Sequence, residues 1–160
     1  MVLVTGEILQ LNTSRGGIPK RPLAEANLIP SGLEADSWAH PAIHGGPRQA
    51  ILMIGDEVIE ELKSLGYKLY RGALGENLTT LGLDYRQLTA GMRFRLGASG
   101  LIETTKLRRP CQTLNIYNEA GLDMIQNLLI QEGRGGWYAR VLHGGPLFTG
   151  DKISLVDQVV

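Results

Sequence analysis

The chain has 160 residues, enough for one domain with a sizeable core, and its 43% hydrophobic and 20% charged residues are the composition of a globular protein. Sixteen Lys and Arg offset sixteen Asp and Glu, which removes the overall positive field that recruits nucleic acid or an anionic membrane, and aromatics at 6% offer no stacking platform for bases. No apolar run approaches the ~20 residues of a membrane span, the start lacks the segments of a signal peptide, and one cysteine forms no internal disulfide; a single domain over residues 1–160 in the reducing cytoplasm is expected.

Residues 2–11 are rich in β-formers and residues 50–54 are a short apolar run between turn residues, so both are expected as strands. From Asp56, the expected N-cap, Val58, Ile59, Leu62 and Leu65 recur at helical spacing, and Gly66 is placed to end the helix. The acids of its first turns, Asp56, Glu57, Glu60 and Glu61, suit the helix dipole. Met92, Phe94 and Leu96 alternate with Arg93 and Arg95, the period of a strand with one buried face, and residues 101–105 are its expected partner across a turn at 97–100. A second helix is expected after Asn118, with Leu122, Ile125, Leu128 and Leu129 on its apolar side and Met124 in the core beside them. Residues 137–142 and 153–156 complete the strands. Residues 91–96 and 150–155 share a Gly, basic, apolar, Leu spacing, each a turn feeding a strand. Many short strands, Gly-rich turns and two helices together predict a small, mainly antiparallel β-barrel with peripheral helices.

The 21 glycines far exceed the ~7% average and cluster at Gly16-Gly17, Gly45-Gly46, Gly133, Gly135-Gly136 and Gly144-Gly145, where ordered turns are expected. His44-Gly45-Gly46-Pro47 recurs as His143-Gly144-Gly145-Pro146, and Gly16-Gly17-Ile18-Pro19 leads into Lys20 and Arg21. Paired glycines can turn successive N–H groups toward one point, an anion nest that Arg and Lys reinforce, although one such copy is equally a tight turn. Arg15, Lys20, Arg21, Arg48, Lys106, Arg108, Arg109 and Arg134 lie in or beside these Gly- and Pro-rich loops, which suggests a local anion site. His44 and His143 are open to roles as metal ligands, acid–base groups or turn residues; with no H-x-x-x-H spacing and no companion cysteines, a structural zinc site is not expected. In the loop 75–79, Glu76, Asn77 and Thr79 offer a carboxylate, an amide and a hydroxyl for a polar ligand.

Cys111 carries the chemistry most plainly. Pro110 fixes the backbone before it, and Arg108 and Arg109 favour a thiolate, which can attack an electrophile or bind a soft metal. The alternative is a buried cysteine acting as a small hydrophobe.

Taken together, Gly16-Gly17-Ile18-Pro19-Lys20, His44-Gly45-Gly46-Pro47, Gly75-Glu76-Asn77-Leu78-Thr79, Pro110-Cys111-Gln112-Thr113-Leu114 and Gly136-Trp137-Tyr138-Ala139-Arg140-Val141 resemble the MOSC family, the molybdenum cofactor sulfurase C-terminal domain. The resemblance runs in family order over nearly the whole chain and implies a compact β-barrel that binds molybdenum cofactor, a molybdopterin. It implies that Cys111 is the molybdenum or sulfur ligand and the catalytic residue. Lys20, Arg21, His44, Gly45, Gly46 and Arg48 become candidates for the pterin phosphate, Glu76, Asn77 and Thr79 for the pocket lining, and Arg108 and Arg109 for stabilising thiolate or cofactor charge. Where many relatives carry an acid after His-Gly-Gly-Pro, this chain has Arg48. Pyridoxal phosphate binding is an association of the wider family; the domain of the large sulfurases that uses it is not expected here, nor a cysteine-bearing iron–sulfur domain. The resemblance thus implies a molybdenum-dependent reductase of N-hydroxylated compounds, taking a small-molecule substrate and served by a separate electron donor, or alternatively a carrier of sulfur or cofactor supplied by a sulfur-donor protein.

Overall fold

The computed structural model describes residues 5–37 and 46–156. The strands in chain order are β1 (Thr5–Thr13), β2 (Arg21–Leu23), β3 (Glu25–Ile29), β4 (Gly32–Leu33), β5 (Ile51–Gly55), β6 (Leu78–Leu81), β7 (Arg93–Leu96), β8 (Gly100–Leu107), β9 (Trp137–His143), β10 (Gly145–Phe148) and β11 (Lys152–Leu155). Two α-helices, α1 (Asp56–Ser64) and α2 (Ile125–Leu129), join them among the described residues. The sheet runs β11-β7-β8-β9-β5-β6-β1, and β1 then pairs with β11, so the strands close into a barrel. Strands β10, β3 and β4 form a small second sheet. The ladder is antiparallel except at β5–β6, where Met53 stands beside Leu78 in a parallel pair. The mainly antiparallel barrel anticipated from the strand and turn pattern is therefore the architecture found.

Strand β5 explains how one barrel wall serves two cores. Its residues are buried on both faces; Ile51 and Met53 point into the barrel with Ile8, Phe94, Ile102 and Ile153, while Leu52 and Ile54 point outward to Ile59, Leu62, Leu74, Leu114 and Leu129. That is the period of two acting on an unbroken apolar run. Helix α1 lays Ile59 and Leu62 on the outer core. Its N-cap is Gly55 rather than Asp56, which is the first helical residue and is ion-paired to Arg71 at 2.9 Å. The helix ends as its glycine implies: Gly66, at φ 111°, donates to the Lys63 carbonyl at 3.0 Å and Tyr67 to that of Leu62 at 3.1 Å, the paired bonds of a Schellman turn. Leu65, on the apolar face by spacing, is the C-cap residue within that turn and is exposed.

The second helix is shorter than its pattern. It begins at Ile125, whose N–H donates to Asn118 Oδ1 at 2.7 Å, and residues 118–124 form turns instead, leaving Met124 exposed rather than in the core. The echoed segments 91–96 and 150–155 do feed strands, and β7 and β11 pair with each other, Leu96 opposite Ile153. The short strands β2, β3, β4, β6 and β10 lack a long apolar alternation and were not anticipated; tertiary pairing forms them.

Candidate functional site

The residues before β6 form a tight loop, and it organises the site. Gly72 and Gly75 have φ near 94° and 89°, and a side chain on Gly72 would run into the Lys20 carbonyl. The Gly72 carbonyl accepts the Lys20 N–H at 2.9 Å, the Ala73 carbonyl accepts the Tyr117 hydroxyl at 2.5 Å, and the Leu74 carbonyl accepts Arg108 Nη2 at 2.9 Å. Glu76 braces the loop from inside, its Oε2 accepting from the Gly72 N–H at 2.9 Å and the Thr79 hydroxyl at 2.7 Å.

Beside this loop opens a cleft of about 340 Å³. Lys20, Arg108, Arg109 and Cys111 line it together with Asn77, Gln49, Ser37 and Thr113, and Ile18, Leu52, Ile116 and Tyr138 form its apolar flank. No carboxylate is among the described lining residues. Asp36 sits just behind: Oδ1 accepts from Lys20 Nζ at 2.7 Å and from the Ser14 N–H at 2.9 Å, and Oδ2 accepts from Asn77 Nδ2 at 2.8 Å. Asn77 is fixed a second time, Oδ1 accepting the Leu52 N–H at 3.0 Å. Its amide orientation is thus set by both ends of the side chain.

Arg108 is only 8% exposed, and its buried Nη1 has no hydrogen-bond partner. Burial pushes its guanidinium pKa down, opposed by the negative ends of Tyr138, Cys111 and Glu76. Burial likewise raises the Tyr138 phenol, with Arg108 opposing. Cys111 is half-buried at the start of the 3-10 turn Gln112–Tyr117, its Sγ 2.9 Å from Thr113 Oγ1. Its carbonyl accepts Gln126 Nε2 at 3.1 Å, which ties the cysteine turn to α2.

Of the residues singled out by sequence, the structure brings Lys20, Asn77, Arg108, Arg109 and Cys111 to one cleft. Glu76 and Thr79 stand behind its wall, fully buried, rather than lining it. Arg21, exposed on β2, and Arg48, exposed on the turn Pro47–Gln49, are not among the lining residues, although their neighbours Lys20 and Gln49 are. His44 and Gly45 lie outside the described residues; Gly46, at φ 101°, adjoins them. The second His-Gly-Gly-Pro copy is a structural turn away from the cleft: His143 Nδ1 meets the Ser99 carbonyl at 2.8 Å, and side chains on Gly144 or Gly145 would collide with the Leu28 carbonyl or with Ser99. Asp36, Ser37, Gln49 and Tyr138 were missed. The alternation along β9 gives a signal for Tyr138, since Trp137 faces the inner core and its neighbour must face out; Asp36 follows β4 in irregular backbone, where no pattern points to it.

A second cleft, about 450 Å³, lies where β5 and β6 end. Glu57, Glu61, Asp84, Glu132, Arg86 and Arg134 line it, and both arginines are paired within it, Arg134 with Glu61 at 2.9 and 3.1 Å and Arg86 with Asp84 at 3.0 and 3.1 Å, while Glu57 accepts the Gly82 N–H at 2.8 Å.

The model of the MOSC domain matches residues 40–154. The chain belongs to the MOSC family. It is 31% identical over 139 residues to Protein YiiM of Escherichia coli, an alignment covering 84% of this chain and 61% of that protein. It is 36% identical over 87 residues to a reductase of Gibberella moniliformis, over 54% of this chain and 15% of that protein. Its fold matches the crystal structure of YiiM from Geobacillus stearothermophilus with a TM-score of 0.78 at 25% identity, covering 97% of this chain and 77% of the other. This MOSC chain therefore spans about three fifths of the curated relative it resembles. Among its described residues no helix is long and apolar enough to cross a membrane.

Proposed function

We propose that the cleft at Cys111 binds molybdenum cofactor and that the protein is the reductase component for N-hydroxylated small molecules, receiving electrons from a separate donor protein. The observation that carries this is the meeting of the chain's one thiol with a buried guanidinium that keeps an unpartnered N–H, in a cleft lined by no carboxylate among the described residues. The donor set fits such a group. Among the described residues no three His, Cys, Asp or Glu side chains stand together as a metal site, so a metal held by Cys111 has to bring most of its own ligands, as one bound to a pterin dithiolene does. The volume lies within the roughly 300–1,000 Å³ of small-molecule sites.

When bound, the cofactor supplies the redox-active metal centre, chemistry that amino-acid side chains lack. The chain's own groups hold and orient it. Cys111 provides the soft sulfur ligand; Lys20, Arg108 and Arg109 face the anionic parts, with Arg108 the most effective because its charge is desolvated. Asn77, locked by Leu52 and Asp36, presents a fixed amide edge. Ile18, Leu52, Ile116 and Tyr138 give an apolar flank that would suit the ring system of the cofactor. The relative named a reductase supports the same reading.

Reconstitution with molybdenum cofactor and a chemical reductant, followed by assay on hydroxylamine-type substrates, tests the proposal. Turnover that is lost in Cys111→Ala is the expected result; equal turnover in the variant overturns it. The half-exposed thiol also suits a carrier of sulfur or cofactor. A persulfide on Cys111 by mass spectrometry, without turnover, would select that alternative.

A further inference from the structure

The loop at residues 72–77 anchors both buried cations of the cleft, Lys20 through the Gly72 carbonyl and Arg108 through the Leu74 carbonyl. Glu76 is the group that braces this loop, and it does so with one oxygen only. Its side chain is fully buried; Oε2 takes both hydrogen bonds, while Oε1 has no partner. Arg108 Nη1 is buried without a partner too, and the two groups feel each other's charge. An ionised carboxylate in such a place would compensate the guanidinium; a neutral acid leaves that charge to the cleft. Burial raises the Glu76 carboxyl, against the Gly72 N–H, the Thr79 hydroxyl, its own backbone N–H and Arg108. The groups that sense it from neighbouring elements are Arg108 after β8, Tyr117 on the cysteine turn and Tyr85 after β6, with the Lys20–Asp36 pair on the far side of Asn12 and Asn77.

We propose that Glu76 is a positioning residue that works as the neutral acid, bracing the loop through Oε2 while leaving the Arg108 charge uncompensated, so that ionisation of Glu76 weakens anion binding in the cleft. The inference rests on the reading of this cleft as the site of an anionic cofactor and adds a pH dependence to it. Glu76→Gln keeps the shape, the acceptor toward Gly72 and Thr79, and neutrality at every pH.

The probe is sulfate, a dianion across the accessible range, titrated calorimetrically into the cofactor-free full chain at about pH 6 and about pH 9, with Cys111→Ser in both proteins so that the thiol does not titrate. The affinity of the protein with Glu76 is expected to fall with rising pH about fivefold more than that of Glu76→Gln, the contribution of the histidines being common to both. Equal pH dependence in the two proteins overturns the proposal, as does weaker binding by Glu76→Gln at both pH values. Stability gives a second readout. Because the folded Glu76 binds its proton more tightly than the unfolded one, the stability this proton confers is complete below the ordinary glutamate value of 4.5 and is lost as pH rises toward the folded value. Glu76→Gln is therefore expected to gain on the parent in urea midpoint as pH rises; a constant deficit at all pH values marks an ordinary structural role and overturns the switch. Absence of sulfate binding by either protein overturns the anion role, whereas failure of the cofactor reading shows separately, in molybdenum content.

Discussion

The two clefts sit at opposite ends of the parallel pair, one before β5 and β6 begin and one where they end, and they treat charge in opposite ways. At the far cleft each arginine is matched by a carboxylate in two-point contact, and the pairing holds Glu61 below the usual carboxylate range and Asp84 at about 2. At the near cleft Arg108 spends its hydrogen bond on a backbone carbonyl and keeps a buried N–H in reserve. Lys20 is paired, but to an Asp36 that also orients Asn77. Charges that satisfy each other at a surface contribute little beyond local order. A desolvated charge given a backbone carbonyl but no carboxylate partner carries an unmet electrostatic demand, which an anion entering the cleft can meet.

Substitutions can break that contrast at several depths. The largest effect is expected from Gly72→Ala, which places a β-carbon against the Lys20 carbonyl at positive φ; a loss of about 2–4 kcal/mol in urea denaturation is expected, against about 1 kcal/mol for Gly46→Ala, where φ is also positive but the space is open. Next, Arg108→Leu is expected to weaken sulfate binding at least tenfold, about 1.4 kcal/mol, whereas Arg134→Leu leaves it unchanged; calorimetry that finds both arginines equivalent erases the distinction between the clefts. Arg134→Ala is expected to cost less than about 1 kcal/mol, and less still at high salt. Smallest is the acid response of Asp84. Its folded value lies below its ordinary 3.8, so its pairing contributes above that pH and fades as pH falls through about 2. A carboxyl NMR titration with a midpoint near the ordinary value would show that the Arg86 pair does not persist in solution.

The barrel was largely legible in the chain because its longest elements carry period: the alternation of Met92 to Leu96, the apolar run at β5, and the helical spacing closed by Gly66. What escaped lacked period. Strands β2, β4 and β10 are two to four residues long, and their partners, not their own side chains, make them strands. The second helix shows the reverse error. Apolar spacing extends back to Leu122, but Asn118 Oδ1 accepts the N–H of Ile125 seven residues on, and satisfying that first helical donor from outside fixes the start of the helix against the periodicity. In the site, Cys111 and its arginines were visible because their chemistry is carried by neighbours in sequence. Glu76 and Thr79 were read as lining although they brace the wall from behind, since residue type cannot say which side of a loop a carboxyl takes. Asp36 was invisible for a related reason: its partners, Ser14, Lys20 and Asn77, come from three separate segments.

The central claim is that the near cleft holds molybdenum cofactor through Cys111. Metal analysis of freshly purified protein from a host that makes the cofactor, parent beside Cys111→Ala, tests it most directly. The account predicts molybdenum approaching one atom per chain in the parent and a loss of at least about tenfold in the variant, since removing a ligand costs no less than the roughly 10–100-fold that follows loss of a ligand's outer hydrogen-bond partner. Equal molybdenum in the two proteins, or none in the parent, would contradict it.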